Sequence, residues 1–266
     1  MGLWSKAVYG GYAIVAAAYD SYDYPSYWLG REYEHECETL VINNFFKKIG
    51  KDKKVIDIGA GYGRLVKIYE PYSKKITLVE PSKNLLKRAK TLLSARNGKV
   101  NYINCCLENL SSKLNSKKYD VAILVRVMHH IKNPEIAIKT ASKLLPKGGY
   151  LILEFANKIH GKELIKNLLC GNLTFPIDLS PNDKRSKKNK KKNFILFLNH
   201  HPDKIESSLM CNGFKIIDKR SVSNMRSNNL KSILPFSVLI LIEKVLQKPL
   251  AKLNFGPSIF ILAKKK

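Results

Sequence analysis

The residues best placed by type and spacing to do chemistry lie in Val55-Ile56-Asp57-Ile58-Gly59-Ala60-Gly61-Tyr62-Gly63. A short apolar run leads into a loop with glycine at every second position. Glycine lets the backbone turn sharply and approach a ligand with no Cβ in the way. The residues from Gly63 onward read as a helix start, whose free N–H groups and partial positive charge suit an electron-rich ligand. A carboxylate, Glu80 in Leu78-Val79-Glu80-Pro81, stands 21 residues beyond Gly59. An acid at the end of the second strand of such a unit accepts hydrogen bonds from ribose hydroxyls. Strand, glycine loop, helix and acid-tipped strand together predict a ligand containing a nucleoside. The nicotinamide fingerprint is GxGxxG, which this spacing does not match, and the Gly-Lys-Ser/Thr of a phosphate-binding loop is absent.

Other candidates for chemistry are more scattered. His129 and His130 follow the fourth predicted strand, Glu154 ends the fifth, and His200 and His201 precede a predicted helix. Each is a candidate general base, and each has a packing alternative. For His201-Pro202-Asp203 that alternative is a helix entry. Cys105 and Cys106 stand at a strand end, where thiols are usually inert packing groups. Five cysteines without a CxxC pair predict neither a disulfide framework nor a structural zinc site, and no metal is expected.

These residues need elements to hold them. Leu40, Val41, Phe45, Phe46 and Ile49 recur at helical spacing and predict a helix over 32–49, ended by Gly50. Strands are predicted at 54–58, 75–79, 100–103, 119–125 and 150–155. Helices are predicted from 63 to 69, over 82–94 and over 134–145. Strands alternating with helices predict a parallel α/β sheet with right-handed crossovers. Residues 1–49 read as a helical arm or lid, 50–155 as a ligand-binding core and 156–212 as an insertion covering substrate. Residues 213–266 then supply the last strands, with an apolar helix over 233–246. The apolar patch 13–18 mimics a signal peptide, yet reads as part of the arm.

Composition narrows the function classes. The chain has 266 residues, and 45% are hydrophobic, which excludes global disorder. No apolar run approaches the roughly 20 residues that cross a bilayer. The formal charge of +26 suggests nucleic acid or an anionic membrane. Yet 39 of the 47 basic residues are Lys and only 8 are Arg, the residue suited to bidentate phosphate recognition. Bulk charge is therefore a weak guide. Its one local concentration is the segment 184–192, which holds seven cations and reads as a solvated loop.

Asp57-Ile58-Gly59-Ala60-Gly61-Tyr62-Gly63 resembles the first motif of class I S-adenosylmethionine-dependent methyltransferases. Leu78-Val79-Glu80-Pro81-Ser82 resembles their ribose-binding strand. Tyr119-Asp120-Val121 with Val127-Met128-His129-His130-Ile131 resembles the fourth strand and the segment after it. Leu144-Leu145-Pro146-Lys147-Gly148-Gly149 resembles the turn into the fifth. The likeness covers about residues 50–155 and is nearest the small-molecule, ubiquinone-type branch. It implies a Rossmann-like seven-stranded, mostly parallel sheet with helices on both faces, and S-adenosylmethionine as cofactor. Asp57, Gly59, Ala60, Gly61 and Gly63 would form the methionine side of the site. Glu80 and Pro81 would form the ribose side, and Val125 and Arg126 the methionine end, with Arg126 on the carboxylate. The family usually places Asp and an apolar residue against the adenine, where this chain has Cys106-Leu107. A thiol cannot accept a hydrogen bond as a carboxylate does, which leaves Glu108 or a water for that role. Arg31 and Tyr33, in the arm, would close over the cofactor.

The resemblance implies methyl transfer to O, N or C of a small or lipid-linked acceptor. Two alternatives stay open: an RNA methyltransferase using the basic segment, and a non-catalytic cofactor-binding module. Nucleic acid is disfavoured, because Leu124-Val125-Arg126-Val127-Met128 stands where base amino-methyltransferases carry Asn/Asp-Pro-Pro-Tyr/Phe. A cytoplasmic location is expected, with peripheral contact at the inner membrane face as the variant suggested by 233–246 and its neighbouring lysines.

Overall fold

A computed structural model describes residues 19–20, 23–96, 98–114, 118–191 and 195–266. The apolar patch 13–18, Tyr22 and Lys192 lie outside the described residues.

Seven strands form one sheet: β1 (Lys53–Ile58), β2 (Ser73–Glu80), β3 (Val100–Asn104), β4 (Val121–Leu124), β5 (Tyr150–Ala156), β6 (Phe214–Val222) and β7 (Ser258–Lys265). Their order is β3-β2-β1-β4-β5-β7-β6. The first five are parallel, and β7 runs antiparallel between β5 and β6. This is the doubly wound α/β sheet that the alternation predicts.

Alternate residues of each inner strand bury on opposite faces. Val55, Ile76, Leu78, Phe260 and Leu262 join Val41, Phe45 and Phe46 of helix α1 (Glu32–Ile49) on one side. Ile56, Ile58, Val79, Ile259 and Ile261 form the other side. There they meet Ala137, Ile138 and Ala141 of a later helix. Burial on both faces explains why these strands read as continuous apolar runs.

Register sets the site. Ile58 pairs with Val79, so the glycine loop and Glu80 leave the sheet side by side. Glu80 pairs with Asn104, which brings Cys105 and Cys106 alongside. Leu124 pairs with Leu153, which sets Val125 and Arg126 next to Glu154.

The helix expected from Gly63 is shorter. Tyr62–Leu65 stays a turn, followed by α2 (Val66–Tyr69) and a 3-10 turn, Glu70–Tyr72, in which Pro71 cannot continue the α pattern. Strand β4 also ends early, because Arg126 takes φ +62° and turns the chain. Helices α3 (Lys83–Leu92), α4 (Leu107–Lys113) and α5 (Pro134–Leu144) follow the next strands. Side chains cap two of them: Ser82 Oγ accepts from Leu85 N, and Asn133 accepts from Glu135 N.

The insertion is not a plain loop. It contains α6 (Gly161–Leu169), a strand pair Asn182–Asp183 with Leu198–Asn199, and α7 (Lys187–Lys191) within the basic segment. Lys158, buried at its base, donates to Asp178 Oδ2 (2.8 Å) and the Ser180 carbonyl (2.9 Å). Arg185 and Lys190 pair with Asp183 and Lys184 with Glu163, so three of the run's cations are engaged locally. Helix α8 (Pro202–Cys211) then leads into β6.

The apolar helix expected over 233–246 is two helices, α9 (Asn228–Ile233) and α10 (Phe236–Lys252), parted by Leu234-Pro235. Proline restricts the residue before it and breaks the first helix, then caps the second. The inner face of α10 carries Leu239, Glu243, Gln247 and Ala251. Buried Glu243 accepts from Ser223 N (2.8 Å), Asn224 N (3.0 Å) and the Tyr33 hydroxyl (2.8 Å). Those bonds tie α10 to β6 and to α1.

Candidate active site

A cleft, open at its mouth, lies over the carboxyl ends of β1, β2 and β4. Its floor is the glycine loop, with φ of +76° at Gly59 and +57° at Gly61. Gly59 N and Ala60 N both donate to the Val79 carbonyl (2.8 and 3.1 Å), which pins the loop to β2. Asp57 is buried at the start of the loop and accepts from the Tyr69 hydroxyl (2.8 Å). Burial pushes its carboxyl up to about 6.

Glu80 stands at the wall. Its Oε2 accepts from Gly61 N and its Oε1 from Ser82 N, both at 2.9 Å. A carboxylate offers about four lone-pair sites, so each oxygen keeps one for a further donor. Burial raises this carboxyl to about 7, against the two amide bonds that favour its charge.

The arm crosses the cleft. Asp20 Oδ1 accepts from Ser82 Oγ (2.6 Å) and from Asn84 N (3.1 Å), which latches the arm to the start of α3. The Tyr19 hydroxyl bonds His130 Nε2 at 2.8 Å. His130 Nδ1 lies 2.8 Å from the Leu196 carbonyl, which can only accept. Nδ1 therefore carries the proton and Nε2 accepts from Tyr19. Burial lowers the His130 imidazole to about 4, so it is neutral at pH 7. Tyr24, stacked on Tyr27, faces Gly61 across the cleft, and burial pushes its phenol up to about 12.

Behind the floor lies a buried charge cluster. Glu38 of α1 accepts from Arg64 (2.5 Å) and from Arg126 Nε (2.7 Å). The Trp28 ring lies beneath Arg64 at 3.5 Å and near Arg126 at 5.2 Å. Arg126 N donates to Glu154 Oε2 (2.8 Å), and the Ser258 hydroxyl donates to Oε1 (2.6 Å). Burial raises the Glu154 carboxyl.

Of the residues singled out in the sequence, Asp57, Gly59, Ala60, Gly61, Glu80, Pro81, Cys106, Leu107, Val125, Arg126 and His130 line the cleft. Others do not. Gly63 turns inward against Leu78 and Leu93, and Glu108 is not part of the wall. His129 packs behind His130 and against Phe197, held neutral by burial. His200 bonds the Met128 carbonyl, while His201 bonds the Pro176 carbonyl and caps α8. Tyr33 reaches Glu243, and Arg31 lies over Tyr27, so neither touches the cleft. Arg126, expected to be free for a ligand carboxylate, is paired with Glu38.

Residues that sequence reasoning missed are Glu38, Arg64 and the cleft-lining roles of Tyr19 and Tyr24. The tyrosine-rich arm was the only visible signal, because partners so far apart in sequence meet through the fold alone. Among the described residues no group of three His, Cys, Asp or Glu is arranged to hold a metal ion.

Residues 29–174 match a family model described as a methyltransferase domain, more than half of the chain. The chain belongs to the class I S-adenosylmethionine-dependent methyltransferases. A ubiquinone biosynthesis O-methyltransferase of Nitrosomonas europaea is 28% identical over 145 residues, covering 51% of this chain and 61% of that protein. The chain thus spans about 60% of the length of curated relatives it matches. Among solved structures, the 1,6-didemethyltoxoflavin-N1-methyltransferase of Burkholderia thailandensis superposes with a TM-score of 0.62 at 14% identity. That match covers 96% of this chain and 88% of that one, whose structure holds its substrate and S-adenosylhomocysteine. An S-adenosylmethionine-dependent methyltransferase of Mesorhizobium loti gives a TM-score of 0.55 at 13% identity, over 83% of this chain and 95% of that one. These structural likenesses concern the fold. S-adenosylmethionine is the family's cofactor, and the wall fits it. Two free lone-pair sites on Glu80 match two ribose hydroxyls, and Gly59 and Gly61 present backbone without Cβ atoms.

Proposed function

We propose that the protein transfers the methyl group of S-adenosylmethionine to a hydroxyl of a small or lipid-linked acceptor. The observation that carries this reading is Glu80, whose oxygens each hold one backbone amide and keep one free site beside the glycine loop. The cofactor supplies an electrophilic methyl group on a sulfonium. The protein's part is to bind, align and exclude water. Glu80 would accept from the ribose, Cys106 and Leu107 would flank the adenine, and Val125 and the loop backbone would hold the methionine part. The 28% identity to a ubiquinone O-methyltransferase supports oxygen as the acceptor atom and a lipid-linked quinone precursor as its class.

Titration calorimetry with S-adenosylmethionine tests the cofactor assignment. Binding needs ionised Glu80, whose carboxyl is raised to about 7. Affinity is therefore expected to fall about tenfold per unit below pH 7 and to level off above it. Stability runs the other way. The folded state keeps a proton that the unfolded carboxyl loses near 4.5, so the Glu80 contribution declines as pH rises from 4.5 to 7. Absence of binding at high micromolar concentration, or affinity flat from pH 6 to 8, would sink the reading.

His130 is the proposed proton acceptor, with Tyr19 bridging to the acceptor side and the Leu196 carbonyl fixing the tautomer. His130→Gln is expected to slow transfer to a hydroxyl about 10²-fold while cofactor affinity changes little. Tyr19→Phe should slow it similarly. A labelled-methyl assay on lipid and RNA extracts reads both variants and the acceptor class. Label entering RNA alone would overturn the small-molecule reading.

A further inference from the structure

The insertion and the C-terminal helix turn apolar side chains outward. Helix α6 buries none of its residues. Leu169 is 83% exposed, and Leu173 and Ile177, just beyond the helix, are 72% and 73% exposed. Helix α10 buries Glu243 and Gln247 while Leu241 and Val245 point to solvent, 61% and 65% exposed. Its acid faces inward beside Leu239 and Ala251, while further apolar side chains stay exposed, more than a surface helix on a soluble core needs.

The two elements adjoin. Gly161 N, the start of α6, donates to the carbonyl of Phe255 (2.8 Å), just past the end of α10. A Cβ at Gly161 would meet the Phe255 ring at 2.7 Å. Asn157 fastens the same tail by bonds to the Asn254 and Gly256 carbonyls. Leu253, beside this junction, is also exposed.

Lysines dominate the charge on these elements. Lys162, Lys166, Lys244, Lys248 and Lys252 are exposed. The acids on α6 and α10 are spoken for: Glu163 pairs with Lys184, and Glu243 is buried on backbone amides. An exposed apolar stripe edged by lysines, whose one exposed acid, Asp178, is held by Lys158, is complementary to acyl chains beneath anionic headgroups. Neither helix is long enough to cross a bilayer, and among the described residues none is long and apolar enough to do so.

We propose that α6, residues 173–179 and the outer stripe of α10 form one docking surface for an anionic lipid bilayer. The surface would bring a lipid-linked acceptor to the cleft. It stands apart from the cofactor assignment, since vesicle binding is read without cofactor.

Flotation of the full chain tests it, using vesicles of phosphatidylcholine alone and of phosphatidylcholine mixed with phosphatidylglycerol. The protein is expected to float with the mixed vesicles only, and to be released by high salt. Leu169→Asp with Leu173→Asp should lower partitioning at least about tenfold, as should Leu241→Asp with Val245→Asp. Lysine-to-glutamine changes at 162, 166, 248 and 252 should each weaken it about fivefold. All these positions are exposed, and thermal melting checks that the variants stay folded. Failure to float with anionic vesicles, or flotation indifferent to the four aspartates, overturns the proposal. So does a lipid-free dimer that the same aspartates dissociate, which would assign the face to a second copy of this chain.

Discussion

Glu38→Ala is expected to destabilise the protein by about 3–5 kcal/mol, lowering its melting temperature by about 10 °C. Glu38 is 1% exposed and is the shared partner of two guanidiniums, Arg64 and Arg126. Removing it leaves two like charges side by side at the cleft wall, over a tryptophan ring and with no carboxylate in ion-pair contact. Glu38→Gln keeps the volume and one acceptor, and should lose about half as much. The wild-type pH profile follows from the same cluster. Burial raises the Glu38 carboxyl, but Arg126 and Arg64 outweigh it and hold the folded value below the ordinary 4.5. Its contribution is thus complete above about 4.5 and is lost as pH falls through the lower, folded value. Urea unfolding of the three proteins at pH 7 and pH 4 checks this. Equal stabilities at pH 7 would show that the two arginines find other partners. A functional effect should accompany the structural one, because Arg126 leaves β4 with positive φ and its backbone N–H rests on Glu154. With its guanidinium unanchored, the cleft wall at Val125 and Arg126 is expected to loosen.

What the sequence disclosed depended on how far apart the interacting residues lie along the chain. The glycine loop is contiguous, and Glu80 reaches it through the pairing of two successive strands. Both could therefore be read from spacing. Glu38, Arg64 and Arg126 lie in three separate elements, and no local pattern links them. Arg126 was visible as a residue at the tip of β4, but not as the partner of Glu38. Tyr33 shows the same limit in reverse. Its place in the arm suggested the cleft, whereas its hydroxyl finds Glu243, 210 residues away. The C-terminal helix was legible as apolar, yet its boundaries and its orientation were not. Pro235 sets the start at Phe236, and Glu243 turns the polar positions inward because β6 offers two backbone amides there. Among the histidines, sequence placed His129 and His130 equally. Only packing separates them, one against Phe197 and the other on the cleft wall.

The glycine loop offers the second large effect, in Gly59→Ala. A Cβ there would lie 2.4 Å from Val127 Cγ2, on a backbone at φ +76°. Two penalties add. A left-handed conformation costs a residue with a Cβ about 1–2 kcal/mol, and the clash forces a shift worth about 1–3 kcal/mol more. A loss of about 2–5 kcal/mol in stability is expected. Val127 follows Arg126 and precedes the His130 turn, so moving it disturbs both walls of the cleft. Cofactor affinity should fall about 100-fold, since displacements near 1 Å are enough for such losses. Two controls separate the penalties. Gly148→Ala also has φ +83°, but its nearest neighbour is Lys264 Cε at 3.9 Å, so it should show the backbone term alone. Gly59→Ala with Val127→Ala removes the clash and keeps the strain. If clash dominates, that double variant regains affinity relative to Gly59→Ala. If strain dominates, it does not, and both Gly59 variants bind equally weakly. Thermal melts with calorimetry on the four proteins decide between these. Wild-type affinity in Gly59→Ala would show that the cofactor does not approach the loop at this residue.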